Sequence, residues 1–184
     1  MKLDIPNYQT KKELFEFLIL NKETLVSQKK SVIKLADGIG GSSIHTEAKK
    51  LANKSQDGYE EPVTEITVKA VINTTNFLDS HGDVHIPGIW NKSLKENNRI
   101  MHVQEHQSSS FDKIISSGDD LKATAETMTW KELGYNAIGT TQALVFESKV
   151  KESRNKYMFD QYKQGFVNNH SVGMRYVKME LAIN

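Results

Sequence analysis

Three short stretches of this chain bring together side chains able to do acid–base, metal or nucleophilic chemistry. The first is Asp79-Ser80-His81-Gly82-Asp83-Val84-His85. As a strand it would place Asp79, His81, Asp83 and His85 on one face, a disposition that suits a metal ion. Gly82 argues instead for a turn, in which the aspartates bond to nearby backbone N–H groups. The second is His102-Val103-Gln104-Glu105-His106, a formal match to the H-x-x-E-H zinc-hydrolase pattern. That chemistry needs both imidazoles on one helical face, beside a single ion. Asn97-Asn98 before the pattern and Ser108-Ser109-Ser110 after it leave little room for a helix. In a strand, residues four apart share a face but lie about 13 Å from one another, too far to share an ion. The third is Asn168-Asn169-His170-Ser171-Val172-Gly173. A serine beside small residues, just after a helix–glycine turn, offers an exposed hydroxyl and close backbone approach, as a nucleophile requires. An ordinary strand serine reads the same way.

The elements that must position these groups can be read from spacing. Thr10 to Glu13 fits a capping box, and Leu14, Phe17, Leu18, Asn21 and Leu25 follow helical periodicity, which predicts an amphipathic helix over 11–30. The glycines at 38, 40 and 41 predict a hinge, and the polar run 44–62 ends at Pro62. A boundary near residue 60 follows: an N-terminal helix and flexible linker over 1–60, and a second domain over 61–184. In that domain Thr64–Ile72 alternates β-branched and polar residues, a strand signal. Further strands are expected at Arg99–His106, Lys113–Ser117, Leu121–Thr129, Thr140–Val150 and His170–Ile183. Ser117–Asp120 reads as a hairpin turn. Helices are expected from Ile89 to about Glu96 and over Ser153–Lys163, the latter closed by Gly165. The fold class is α+β or mainly β: a small mixed sheet or β-barrel decorated with helices.

Four blocks together resemble the phage prohead (capsid-maturation) serine proteases, relatives of the herpesvirus assemblins. Asp79–Gly88 with the following Ile89–Leu94 is similar to that family's D-x-x-G-D-x-x-x-P-G stretch and helix. Ile100–Gln107 resembles the strand ending in the catalytic histidine, which falls on His106. Phe111–Ser116 sits where the family has an apolar strand. Tyr162–Tyr176 resembles the helix, glycine, loop and strand that present the nucleophile, which falls on Ser171. The resemblance covers about residues 64–180 and implies a herpesvirus-protease-like fold and a serine endopeptidase. Its substrates would be phage scaffold, the major capsid protein and itself, inside the procapsid in the cytoplasm of the bacterial host. It implies no cofactor, no metal and a candidate homo-oligomer. His106 would take the Ser171 proton, with Gly173 and Arg175 as candidate oxyanion support. The family's third, base-orienting group comes from beyond the nucleophile. After Ser171 the only carboxylate is Glu180, so either Glu180 takes that role or the domain is incomplete at its C-terminal end. His102, Glu105 and His170 are neighbours in sequence without an assigned role. The competing readings are a catalytically inactive capsid-assembly component of the same fold and a zinc hydrolase using His102 and His106.

Composition narrows the classes. The formal net charge is +1, with ten lysines against eight acids up to residue 60 and fourteen Lys+Arg against fifteen acids after it. Neither part carries the basic field that nucleic acid or an anionic membrane would demand. The chain has no cysteine, which removes disulfides and thiolate chemistry. No apolar run approaches the roughly 20 residues of a membrane span.

Overall fold

The computed structural model describes residues 5–31, 33–37, 47–50, 62–79, 81–96 and 99–182, with 33–37 and 47–50 described by backbone alone. The contacts divide the chain into one compact unit over 36–172 and another over 1–35 with 173–184. The glycine-rich stretch at 38–46 and the segment 51–61, where a hinge and linker are expected, lie outside the described residues.

Alternating β-branched residues build the centre of the larger unit. Strands β2 (Glu47–Lys50), β3 (Glu65–Thr74), β6 (Leu121–Thr129) and β7 (Thr140–Lys151) form a four-stranded sheet in the order β2-β3-β7-β6. All its pairings are antiparallel, with Ala70 opposite Phe146 and Val68 opposite Ser148. Ile66, Val68, Ala70 and Ile72 of β3 join Leu144, Phe146 and Val150 of β7 on one buried face. Helix α4 (Lys156–Gln164) covers that face with Phe159 and Tyr162, and Ile115 and Trp90 complete the cluster. A register shift between Val71 and Asn73 turns the end of β3 so that both of its faces are buried. Val71 then packs with Ala143, Val145 and Leu133 in a second cluster on the opposite side. A second sheet pairs β4 (Met101–Val103) with β5 (Ile114–Ser117). In the chain between β3 and β4, helix α3 runs from Asn91 to Glu96.

The smaller unit holds helices α1 (Lys11–Leu20) and α2 (Lys22–Lys30). The strand β1 (Ile33–Asp37) pairs with β8 (Ser171–Arg175). Thr10 caps α1 as its spacing predicts, accepting from the Glu13 N–H at 3.3 Å.

Several expectations change in detail. The helix over 11–30 is two helices. At Asn21 the backbone leaves helical values, with φ −101° and ψ 11°, and the side-chain amide joins the residue's own N–H on the Phe17 carbonyl, at 2.8 and 3.0 Å. The strand expected over Arg99–His106 stops at Val103, and His106 sits in a 3-10 turn. Gly118–Asp120 is a 3-10 corner, with Gly118 at φ 61°, that passes the chain from β5 in one sheet to β6 in another. It is not a hairpin. Helix α4 starts at Lys156 because Asn155 caps it, its Oδ1 accepting from the Met158 N–H at 3.0 Å. The last strand ends at Arg175. Strand β2 belongs to the central sheet although it precedes the boundary expected near residue 60. The fold is therefore α+β with antiparallel sheets, and among the described residues β2 and β6 remain open edges, so no barrel closes.

Phe159, 1% exposed beneath α4, fills the space between helix and sheet. Phe159→Ala removes both its transfer energy and its packing, and an equilibrium urea titration should show about 3–5 kcal/mol of lost stability.

Candidate active site

His106 is placed by an unusual turn. After β4, Gln104–His106 makes a single 3-10 turn closed by Gln107 N–H donating to the Gln104 carbonyl at 3.0 Å. Glu105 and His106 both lie in the left-handed region, at φ 51° and 58°. For a non-glycine residue this costs on the order of 1–3 kcal/mol, and such strain collects where a side chain must be aimed. Ser171 is placed by α4. Gly165, at φ 77°, ends the helix in the left-handed conformation that glycine adopts freely, and Phe166 N–H donates back to the Gln161 carbonyl at 3.0 Å. The chain then runs through residues 166–170 and enters β8 at Ser171.

These two turns bring the ends together. The Ser171 Oγ and the His106 Nε2 lie 2.5 Å apart, closer than an ordinary hydrogen bond between nitrogen and oxygen. Ser171 is exposed and His106 half-buried. For the hydroxyl to donate, Nε2 must be unprotonated, which puts the ring proton on Nδ1. Among the described residues no group is hydrogen bonded to that Nδ1. The pair can transfer a proton from hydroxyl to imidazole, the elementary step of a serine nucleophile.

Behind this pair lies a chain of buried and half-buried polar groups that spacing alone did not reveal. On the apolar face of β7, Ser148 takes the inward position between Phe146 and Val150 and is fully buried. Its Oγ lies 2.6 Å from the Ser116 Oγ of β5 and 2.9 Å from the His102 Nδ1 of β4. His102 Nε2 lies 3.0 Å from the Tyr162 hydroxyl of α4, which lies 2.8 Å from the His170 Nε2. The His102 ring is enclosed by Phe146, Tyr162 and His170, with centroids 4.7, 5.8 and 6.0 Å away. Burial, and then the neighbouring His170, push the His102 imidazole down to about 3, and burial pushes His170 down to about 4. Burial also raises the Tyr162 phenol. Both imidazoles are therefore neutral at pH 7, each with one N–H. Among the described residues the His170 Nδ1 is buried without a partner. A bare lone pair there is cheaper than an orphaned N–H, which fixes the direction of donation. His170 Nε2–H donates to Tyr162, Tyr162 to His102 Nε2, His102 Nδ1–H to Ser148, and Ser148 to Ser116.

The other sequence candidates fall elsewhere. Asp79 forms a turn, its Oδ1 accepting from the N–H of His81 at 2.9 Å and of Asp83 at 3.0 Å, with Gly82 at φ 71°. His85 is buried, its Nδ1 2.6 Å from the Asn73 Oδ1. Among the described residues no group of three His, Asp or Glu side chains is disposed to hold a metal ion. The H-x-x-E-H pattern does not form a helix. Its two imidazoles are directed to different partners, with both nitrogens of His102 engaged by hydroxyls and His106 turned to Ser171. The Glu105 carboxylate accepts from the Gln107 amide at 3.1 Å. Gly173, Arg175 and Glu180 belong to the smaller unit. By the alternation of β8, Gly173 and Arg175 share the exposed face of that strand with Ser171. Glu180 is exposed, with an ion pair to Lys178 at 3.6 Å.

The residues that sequence reasoning missed are Ser116, Ser148 and Tyr162. A signal was present at Ser148, a polar residue between the apolar inward positions Phe146 and Val150 of its strand. Comparisons of the chain with protein-family models, with curated proteins and with solved structures find no match.

Two imidazoles held neutral make stability depend on pH. Their folded values lie below the ordinary histidine value of about 6.5, so between there and about 4 the unfolded chain binds more protons than the native one. The stability is fully present above about pH 6.5 and is lost as pH falls toward the folded values. Urea midpoints at about pH 7 and about pH 5 should differ by a denaturation free energy on the order of 1–4 kcal/mol. His170→Phe should flatten that slope.

Proposed function

We propose that this chain is a serine endopeptidase of the phage capsid-maturation type, with a herpesvirus-protease-like fold, Ser171 as nucleophile and His106 as general base. The observation that carries the chemistry is the 2.5 Å contact between the His106 Nε2 and the Ser171 Oγ. It joins an imidazole and an exposed hydroxyl that the sequence places far apart. The strained turn at Glu105–His106 supports the same reading, because a non-glycine left-handed pair persists only where the surroundings enforce it. The order and content of the four sequence blocks supply the substrate class: scaffold and capsid-protein segments and the chain itself, in a procapsid in the host cytoplasm.

The reaction follows from the pair. The Ser171 Oγ attacks a peptide carbonyl carbon while its proton passes to the His106 Nε2, leaving a tetrahedral oxyanion. By the sequence resemblance, Gly173 and Arg175 are the candidates to stabilise that charge. A single oxyanion donor contributes about 10²–10³ in rate. Collapse breaks the C–N bond as the imidazolium returns its proton to the leaving amine, and water then hydrolyses the acyl-enzyme by the same route.

A second reading is an inactive assembly component of the same fold. The observation favouring it is the His106 Nδ1, which has no hydrogen-bonding carboxylate or imidazole among the described residues. Labelling with a fluorophosphonate separates the two. Wild type should be phosphonylated at Ser171 and should process itself slowly; Ser171→Ala should abolish both, and His106→Ala should slow them about 10³-fold or more. Self-cleavage by the Ser171→Ala protein would overturn the assignment. An unlabelled wild type that still binds scaffold or capsid protein would select the inactive component.

A further inference from the structure

The groups on either side of the proposed dyad are joined by one hydroxyl. His102 lies on β4, four residues before His106, and His170 immediately precedes Ser171. Tyr162 bridges them, 3.0 Å from the His102 Nε2 and 2.8 Å from the His170 Nε2. Its ring stacks on His170 at an interplanar angle of 22° and meets His102 edge-on at 71°. Tyr162 itself is 3% exposed and sits on α4, one turn from Phe159 in the main core. The far end of the chain is anchored as firmly, through Ser148 and Ser116.

We propose that Tyr162 is a positioning residue, a clamp whose hydroxyl ties the arm carrying His106 to the arm carrying Ser171 and so sets the distance between them. The inference rests on the dyad reading. Without the hydroxyl, the two arms keep the His106–Ser171 bond that is itself to be positioned and the ring contact of His102 with His170, 6.0 Å between centroids, and a ring contact resists sliding poorly compared with two directional hydrogen bonds. A displacement of about 1 Å between reacting groups can cost about 10²-fold in rate. The polarity of the chain adds to this. The Tyr162 hydroxyl donates to His102 and accepts from His170, so one O–H is oriented by both arms at once and neither link can be satisfied by rotating away from the other.

The test uses the full chain and two readouts. Tyr162→Phe keeps the ring and removes only the hydroxyl. It should lower the second-order rate of Ser171 phosphonylation by a fluorophosphonate about 10-fold to 100-fold, while melting cooperatively. His170→Phe keeps a stacking ring and cuts only the link to Ser171, and it should act in the same direction should the first variant fail to fold. Labelling of Tyr162→Phe at the wild-type rate, with Ser171→Ala unlabelled, would overturn the clamp and leave the dyad standing. Imidazole ¹⁵N spectra read the clamp without any turnover. Tyr162→Phe should move the ring resonances of His106, which Tyr162 does not touch. If only those of His102 and His170 move, the clamp is wrong. An unlabelled wild type would count against the dyad alone, and these spectra would still decide the clamp.

Discussion

Two imidazoles, two serine hydroxyls and a phenol are packed against the apolar face of the central sheet, and the architecture around them is constrained by the need to pair every one. An unpaired buried polar group costs roughly 1–3 kcal/mol, comparable to a large share of a domain's net stability. Ser148 is the least avoidable of these groups, because the pleat of β7 directs it inward between Phe146 and Val150. Its partners must therefore come to it. Ser116 arrives on β5 and His102 on β4, and these two residues are paired across that small sheet. His102 in turn demands a partner for its second nitrogen, which α4 supplies in Tyr162. The second sheet and the helix are thus held to the first by directional bonds as well as by apolar contact.

The same constraint accounts for the strained turn. His102 is fixed by two hydrogen bonds, and β4 pairs with β5 only as far as Val103. Three residues later an imidazole must project toward Ser171. A continued strand would carry His106 onward and leave its face set by the alternation from His102. Two consecutive left-handed residues, Glu105 and His106, reverse the chain within one turn instead. Their backbone cost, on the order of 1–3 kcal/mol each, is offset by the surrounding order. Fixing His102 and straining His106 are two parts of one arrangement.

Much of the scaffold was legible in the sequence, and for identifiable reasons. β3 announces itself because Ile66, Val68 and Ile72 alternate toward one core cluster, and β6 and β7 form where strands are expected. Thr10 and Gly165 mark helix ends because their chemistry is local: a hydroxyl facing a free N–H, and a residue able to take positive φ. His106 and Ser171 were legible as a pair only through the combined resemblance of four blocks, since neither side chain carries a spacing signal of its own. What failed was non-local or fell between elements. Nothing near Gly118 reveals that β5 and β6 enter different sheets. The early end of β4 reflects a backbone reversal that no glycine advertises. Tyr162 reads as an ordinary amphipathic-helix aromatic, since its hydroxyl acquires a role only when β4 and the approach to β8 meet beneath it. The Asn21 break is local, a departure from helical φ and ψ at one residue that helical periodicity counts as in register.

Under the proposed chemistry, the functions usually combined in a third catalytic group are separated here. Such a group holds the imidazole in one tautomer and orientation, and it stabilises the imidazolium that forms. Orientation is available from the fold, through the fixed turn at His106 and its bond to Ser171. Charge stabilisation is a different matter, because a backbone conformation carries no countercharge, and the His106 Nδ1 has no hydrogen-bond acceptor among the described residues. Loss of an orienting acid costs about 10⁴ in a complete triad, where tautomer and charge are lost together. A dyad that retains the geometry forfeits only part of that. Its imidazolium is half-buried rather than enclosed, so water can supply some of the missing stabilisation. The buried imidazoles behind it cannot, since burial keeps both neutral. In that chemistry they hold position, and the proton taken from Ser171 rests on His106 only until it passes to the leaving amine.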